Sequence, residues 1–138
     1  MPLSKHDEVV YAIKREYESH GLQVSVNAGT QQTKEVSGYF PDVYAAQDIH
    51  QAPFWLIEVE TADSITDSEA QNQWVDYDRA YHPAWWLAVP SACKEDTEEL
   101  LDKHGIFNCT VVAWEMGEDG AYTFCTLPGL DWRNLLAC

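Results

Sequence analysis

The sequence predicts an α/β fold, a three-layer α/β/α sandwich with a mixed sheet, formed by a single domain over residues 1–138. Its 138 residues, 46% of them hydrophobic, match the size and core content of one domain. Segments with helical spacing of apolar residues alternate with segments typical of strands, in the order α-β-β-β-α-β-α-β-β. Three consecutive strands favour an antiparallel meander, and a strand that returns after a helix favours a parallel neighbour, so the sheet is mixed.

The first half of the chain predicts one helix and three strands. Apolar residues recur with helical spacing over residues 8–19, Ser4 and Asp7 resemble an N-terminal cap, and Gly21 suits the helix end. The three strands that follow are predicted at residues 22–29, 36–45 and 54–61, where apolar residues alternate or cluster.

The second half predicts a helix, a buried strand, a further helix and a hairpin, at residues 68–81, 84–90, 94–104 and 107–127. Thr66 and Glu69 form a capping-box pattern before the first of these helices. Pro83 excludes further helix, Gly105 suits the end of the next one, and a short helix is expected from Asp131.

The composition limits the class of protein. No segment approaches the roughly 20 apolar residues of a membrane-spanning helix, and the N-terminus lacks the apolar centre of a signal peptide. We therefore expect a cytoplasmic protein without a membrane partner. The cysteines, Cys93, Cys109, Cys125 and Cys138, have no Cys-x-x-Cys spacing, so we expect buried free thiols.

The charge of the chain is strongly negative. Eight Lys and Arg residues against 23 Asp and Glu residues give −15, with a pI of about 4.4. Nucleic-acid binders usually carry basic surfaces, because neutralising phosphates supplies much of their affinity. Two interpretations remain open: an acidic surface that serves solubility in a salty cytoplasm, or a partner other than nucleic acid.

Three acidic residues form a candidate metal site. Asp42 is expected on the second strand, and Glu58 and Glu60 near the end of the third. Glu58 and Glu60 are two residues apart and so project from the same face of a strand. Carboxylates held together repel one another unless a cation neutralises them, and Mg²⁺ or Mn²⁺ prefers oxygen ligands. Such an ion can activate water and stabilise charge on a phosphate.

These residues resemble the motif of the PD-(D/E)XK nuclease superfamily, which includes RecB-like, Holliday-resolvase and restriction-endonuclease-like proteins. Pro41-Asp42 and Glu58-Val59-Glu60 match the motif in order. The family core runs α-β-β-β-α-β, as predicted here for residues 6–90, with residues 94–127 as a C-terminal α-β-β extension.

Two further residues extend the resemblance. Many members have a glutamate in the first helix, which Glu8 matches best, and RecB-like members carry Gln-x-x-x-Tyr after the third strand, as Gln73 and Tyr77 do. The resemblance implies Mg²⁺ or Mn²⁺ held by Asp42 and Glu58, with Glu8 as an outer carboxylate and Gln73 supporting the site or the substrate.

One position departs from the family pattern. Glu60 stands where most members have a lysine that positions the attacking water, although some restriction endonucleases also carry Glu-x-Glu. Lys14 and Lys34 are conceivable sources of the missing cation. A simpler interpretation of Glu58 and Glu60 is a solvated strand face whose opposite side is buried.

The resemblance implies a metal-dependent phosphodiesterase that cuts DNA, in which Glu60 is a further ligand or a base that orients water. The alternative is a catalytically inactive protein of the same fold that acts through protein contacts, with six Trp residues available for an interface. Nucleases of this fold often dimerise, so a homodimer or a partner subunit is a further expectation.

Overall fold

The protein is built around one β-sheet. A computed structural model describes residues 3–29 and 34–130. Within these residues the sheet has six strands, arranged in chain order: β1 (Gln23–Val26), β2 (Val43–Ala46), β3 (Phe54–Val59), β4 (Trp85–Pro90), β5 (Cys109–Met116) and β6 (Tyr122–Cys125). The central pairs β3–β4 and β4–β5 are parallel, and the other three pairs are antiparallel. The predicted α/β class with a mixed sheet is confirmed.

The main helices are α1 (Lys5–Ser19), α2, and α3 (Lys94–Lys103). Helix α2 has three successive segments: Asp67–Glu69, a π-helical turn at Ala70–Trp74, and Val75–Ala80. Short 3₁₀ turns occur at Ala62–Ser64 and Ser91–Cys93. These elements follow one another in the order predicted from the sequence.

The helix ends follow the local sequence signals. Helix α1 begins three residues earlier than predicted, because the Ser4 hydroxyl caps it by accepting a hydrogen bond from the Asp7 amide at 3.1 Å. The Thr66 hydroxyl caps α2 in the same way by accepting from the Glu69 amide. Gly105, with φ of 67°, follows α3 as expected.

Two hydrophobic clusters lie on the two faces of the sheet. On one face, Val9, Ile13 and Tyr17 of α1 pack against strand residues that include Val43 and Ile57. The second cluster joins alternate strand residues, among them Leu56, Leu87 and Val89, to Trp74 and Tyr81 at α2 and Leu101 of α3. Because neighbouring strand residues point to opposite faces, each central strand serves both clusters.

The second strand is shorter than predicted. Residues 36–45 were expected to form it, but β2 begins only at Val43, and Val36 instead makes an isolated bridge with Tyr39. Pro41 has no amide hydrogen, and the Asp42 amide donates to a side chain, so neither residue contributes an N–H to the sheet. Asp42 therefore lies immediately before β2 rather than within it.

The remaining expectations concern cysteines, membranes and the C-terminus. Cys93 and Cys109 are free but only partly buried, and Cys125 is disulfide-bonded, so the expectation of buried free thiols is wrong for Cys125 and holds for the other two only as to the free thiol. Across residues 3–29 and 34–130, no helix has the length and apolar content needed to cross a membrane. The helix expected from Asp131, and Cys138, lie outside the described residues.

The charge of −15 predicts a fold that salt stabilises. Like charges repel within the compact state, and salt screens them. Raising NaCl from about 0.05 to 0.5 M should increase the free energy of unfolding by about 1 kcal/mol, which corresponds to a rise of roughly 4 °C in Tm. A thermal unfolding experiment measures this rise. In the control double variant Glu99→Lys with Asp102→Lys, both on exposed positions of α3, this increase should be smaller. An equal increase in both proteins would contradict the electrostatic explanation.

Candidate active site

Glu58 and Glu60 are buried at the C-terminal end of β3. Their residues are only 5% and 7% exposed, so the interpretation as a solvated strand face is wrong. Both side chains lie on the face covered by α2, where Glu58 Oε1 accepts a hydrogen bond from the Tyr81 hydroxyl at 3.3 Å. The same oxygen accepts from the Asp42 amide at 3.2 Å. Glu58 thereby links the end of α2 to the start of β2.

Glu60 is held by one side chain from α2 and one from the turn after β3. The buried indole Nε1 of Trp74 donates to Glu60 Oε1 at 3.2 Å. The Ser64 hydroxyl donates to Glu60 Oε2 from the 3₁₀ turn. That turn is fixed locally, because the Thr61 amide donates to the Ser64 Oγ at 3.1 Å. Both carboxylate oxygens of Glu60 thus have donors, but none of these donors is a cation.

Burial raises the pKa of both glutamates. The pKa of Glu58 lies well above its ordinary value, because the carboxyl is desolvated and faces the negative charge of Asp42. Burial also raises the pKa of Glu60 to about 7, against hydrogen bonds from Ser64 and Trp74 that act in the opposite direction. Glu69 at the start of α2 also has a raised pKa because of burial, and its carboxylate opposes ionisation of Glu60. The site therefore favours a bound cation or bound protons.

Asp42 connects the glutamates to the N-terminus of α1. Its Oδ2 accepts a hydrogen bond from the Val59 amide at 2.8 Å and lies 3.0 Å from His6 Nε2. His6 Nδ1 in turn lies 2.9 Å from Asp7 Oδ1. The hydrogen bond to Asp42 is the main reason why the pKa of His6 rises to about 9, so the imidazole is charged at neutral pH. His6 is thus a cation in contact with the carboxylate site.

Aromatic side chains of α2 border the carboxylates. Tyr77 stacks on Tyr81 with ring centroids 5.3 Å apart, and Tyr39 contacts both rings edge-on. Burial raises the pKa of Tyr77, and the negative charges of the site raise it further, so this hydroxyl stays protonated. It donates to Gln73 Oε1 at 2.9 Å, which confirms that Gln73 and Tyr77 share one face of the helix.

The structure brings together three of the five predicted site residues, Asp42, Glu58 and Glu60. Gln73 is exposed and joins the site through Tyr77. Glu8 instead accepts a hydrogen bond from the Tyr122 hydroxyl at 3.1 Å and lines a different cavity, between α1 and the β5–β6 hairpin.

Neither lysine considered as a substitute cation contacts Glu58 or Glu60. The Lys14 ammonium pairs with Glu18 at 2.8 Å, and that of Lys34 lies 5.0 Å from the centroid of the Tyr44 ring.

Several side chains of the site were not predicted, namely His6, Asp7, Ser64, Glu69, Trp74 and Tyr81. The Ser4 cap is the one local signal that could have found His6, because it starts the helix at Lys5 and so places His6 in the first turn. Trp74 and Tyr81 carry no such signal, since their hydrogen bonds depend on where α2 packs on the sheet.

The oxygen ligands of Asp42 and Glu58 suit Mg²⁺ or Mn²⁺ in kind. One oxygen of each carboxylate is oriented by donors of the protein. As the side chains stand, no group of three or more His, Cys, Asp or Glu residues in the described ranges is arranged to hold a metal ion. A Mg²⁺ ion requires only one or two protein carboxylates, because it keeps several of its waters.

Comparison of the chain with models of protein families, with curated proteins and with solved structures gives no match.

The raised pKa of Glu60 predicts a stability that falls with pH. Between the ordinary value of 4.5 and about 7, the folded state binds more protons at Glu60 than the unfolded state does. Stability is therefore lost as pH rises through this range, by about 3 kcal/mol from this group. Glu60→Gln should lack this loss. The free energy of unfolding of the variant, relative to that of the wild type, should therefore increase between pH 4.5 and 8.

Urea unfolding in EDTA measures this difference. Glu118→Gln, at an exposed glutamate of the β5–β6 turn, serves as the control and should follow the wild type. Parallel pH profiles of Glu60→Gln and the wild type would contradict the assignment.

Proposed function

We propose that this protein is a metal-dependent phosphodiesterase of the PD-(D/E)XK nuclease superfamily that cuts DNA. The observation that carries the proposal is the burial of Glu58 and Glu60 beside Asp42, with raised pKa values for both glutamates. Burying carboxylates is costly unless they serve as ligands or pairs. A site that is short of positive charge is what a divalent cation would complete.

In this proposal Asp42 and Glu58 hold Mg²⁺ or Mn²⁺. When bound, the ion would polarise the phosphodiester and lower the pKa of a bound water. The protein fixes the two ligands from its backbone, since the Val59 amide donates to Asp42 and the Asp42 amide donates to Glu58. Hydrogen bonds of this kind orient metal ligands and increase their affinity for the ion.

Glu60 serves as the base that orients the attacking water and accepts its proton. A general base works best when its pKa lies near the working pH, and burial raises that of Glu60 to about 7. Trp74 and Ser64 hold the carboxylate in one orientation. Glu60 would thus act on the attacking water, as the lysine at this position does in most family members.

Glu60 stands where the family places a cation, and in this proposal His6 supplies the positive charge instead. Its imidazole contacts Asp42 Oδ2 at 3.0 Å and is charged at neutral pH, because its pKa is about 9. Gln73, positioned by the Tyr77 hydroxyl, is exposed and would contact the substrate from α2.

The fold is compatible with the superfamily. Helix α1 packs in one hydrophobic cluster of the sheet, and α2 and α3 pack in the other. This distribution supports a three-layer sandwich with the α-β-β-β-α-β core and the C-terminal α-β-β extension.

The charge favours a second candidate, an inactive protein of this fold that acts through protein contacts. A net charge of −15 repels a polyanion, and Glu60 adds a further negative charge at the lysine position. A partner subunit or a second copy of the chain would then supply the DNA contact. This candidate predicts no retention of DNA even at low salt, whereas a DNA-binding protein loses affinity steadily as salt is added.

Calorimetry with Mn²⁺ tests the metal site. We expect one defined site in the wild type, and a loss of affinity of about 100-fold in Asp42→Ala, because a direct ligand matters at least as much as the groups that orient it. The control is Asp96→Ala at an exposed position of α3, which removes the same charge and should keep the site. Equal, weak binding in all three proteins would identify the acids as mere surface charge.

Cleavage assays test the phosphodiesterase itself. Linear, circular and single-stranded DNA, with RNA alongside, should be offered with Mg²⁺ and with Mn²⁺. We expect cleavage of DNA by the wild type and a kcat about 100-fold lower in Glu60→Gln, the usual contribution of a general base. Wild-type protein that binds Mn²⁺ at Asp42 yet leaves every substrate intact would favour the inactive candidate.

A further inference from the structure

The segment 34–41 leads directly into the carboxylate site, and one side chain fixes both of its ends. Asn27, a buried residue just after β1, donates from Nδ2 to the Pro41 carbonyl at 2.6 Å and to the Lys34 carbonyl at 3.2 Å. The Asn27 amide also donates to the Asp42 carbonyl at 3.0 Å. Asn27 therefore holds Lys34 beside the part of the chain that carries Asp42.

Lys34 brings a positive charge to the face of the sheet on which the glutamates lie. Its ammonium lies 5.0 Å from the centroid of the Tyr44 ring. Tyr44 belongs to the hydrophobic cluster under α2, the same face as Glu58 and Glu60. It follows Asp42 by two residues, which span at most about 7 Å. Among residues 3–29 and 34–130, no carboxylate forms an ion pair with Lys34, so its charge is available to a ligand.

An exposed aromatic ring continues this surface along β2 and β3. Phe54, the first residue of β3, pairs with Ala46 of β2. Its ring stacks on that of Tyr44, with centroids 5.0 Å apart and planes 17° from parallel. Phe54 is nevertheless 37% exposed. Lys34, Tyr44 and Phe54 thus form one surface, in which a cation and an exposed aromatic ring both contact the Tyr44 ring.

This surface combines the two kinds of group that bind a single nucleic-acid strand. Proteins hold such strands with positive charge on the phosphates and with aromatic rings on which the bases stack. In a duplex the bases stack on one another, so an unpaired strand is what can place a base on Phe54. A single strand also carries one phosphate charge where a duplex carries two. A chain with a net charge of −15 therefore repels the single strand less.

We propose that Lys34 and Phe54 bind an unpaired DNA strand, with Lys34 on a phosphate and Phe54 against a base, so that the carboxylate site acts on single-stranded DNA. The inference rests on the proposed function, which supplies the nucleic acid and the place of the cut. Stacking provides affinity without basic residues. It therefore suits a chain whose eight Lys and Arg residues stand against 23 Asp and Glu residues.

Fluorescence anisotropy of labelled oligonucleotides in EDTA measures this binding without metal and without cleavage. The probe is a thymine oligonucleotide of about 15 nucleotides, near the upper end of single-strand site sizes. It is compared with the same strand paired to its complement and with an abasic strand of equal length. We expect the thymine strand to bind about tenfold more tightly than either of them, because only it offers free base faces.

Phe54→Leu should weaken binding of the thymine strand about tenfold, the loss expected for one base stacked on an aromatic ring. Phe54→Trp should bind like the wild type, because it keeps an aromatic ring at this position. The matched control is Phe107→Leu, at a residue that is 80% exposed and precedes β5, beyond β4 from Phe54. This control should also bind like the wild type.

The salt dependence tests the role of Lys34. Lys34→Ala should weaken binding and should lower the slope of log Kd against log salt, between about 50 and 200 mM, by about 0.7, the value for one phosphate contact on a single strand. Lys14→Ala removes the same charge from an ammonium that pairs with Glu18. It should leave the slope unchanged.

Several results would overturn the proposal. They are no binding of the thymine strand, equal binding of the duplex or the abasic strand, an unchanged affinity in Phe54→Leu, and equal effects of Lys34→Ala and Lys14→Ala. The proposed function fails separately, because the assay contains no metal. Binding that follows these expectations without cleavage in Mg²⁺ or Mn²⁺ would contradict the phosphodiesterase alone. Cleavage that is as fast on duplex DNA and unaffected by Phe54→Leu would contradict this inference alone.

Discussion

The burial of Glu58 and Glu60 is the constraint around which the neighbouring elements are arranged. Removing a carboxylate from water costs several kcal/mol of hydration free energy, which hydrogen-bond donors of the protein must compensate. Glu58 finds them in Tyr81 and the Asp42 amide, and Glu60 finds them in Trp74 and Ser64. Three separate parts of the chain, namely α2, the residue before β2 and the turn after β3, thus converge on the end of β3. The pKa values nevertheless stay raised, because these donors carry no full positive charge.

Helix α2 has the dual task of covering the sheet and supplying polar groups to it. Trp74 and Tyr81 are fully buried in the hydrophobic cluster on this face, yet each directs one hydrogen-bond donor at a glutamate. The π-helical turn Ala70–Trp74 lies at the point where α2 reaches Glu60. Turns of this kind change which side chains face the sheet and often occur at functional sites. The core and the carboxylate site are therefore parts of one packing arrangement.

The protein has only eight Lys and Arg residues, and several of its basic side chains pair with carboxylates. Surface lysines such as Lys14 and Lys103 pair with nearby carboxylates. At the site, His6 takes the contact with Asp42, and its charge is sustained by the two carboxylates that flank it. Among residues 3–29 and 34–130, no Lys, Arg or His forms an ion pair with the glutamates at the end of β3.

The sequence by itself determined the elements and their order. The Ser4 and Thr66 caps, the Gly105 stop and the alternation of apolar residues are local signals, and the structure follows them. Spacing also sufficed to place Glu58 and Glu60 on one strand face and Gln73 beside Tyr77, because these relations depend only on strand and helix geometry. The start of β2 was predicted too early, because the Asp42 amide donates to Glu58 instead of to a neighbouring strand. This contact joins residues that are distant in the sequence, so no local pattern predicts it.

Only the tertiary structure decided whether that strand face meets water or helix α2. A period-two pattern is the same in both cases, so the burial of Glu58 and Glu60 follows from the crossover that packs Trp74 and Tyr81 over them. The tertiary structure likewise brought His6 rather than Glu8 to Asp42, because the height of α1 relative to the sheet depends on packing of Val9, Ile13 and Tyr17. Contacts between residues 36 positions apart, as in His6 and Asp42, leave no periodic trace in a sequence.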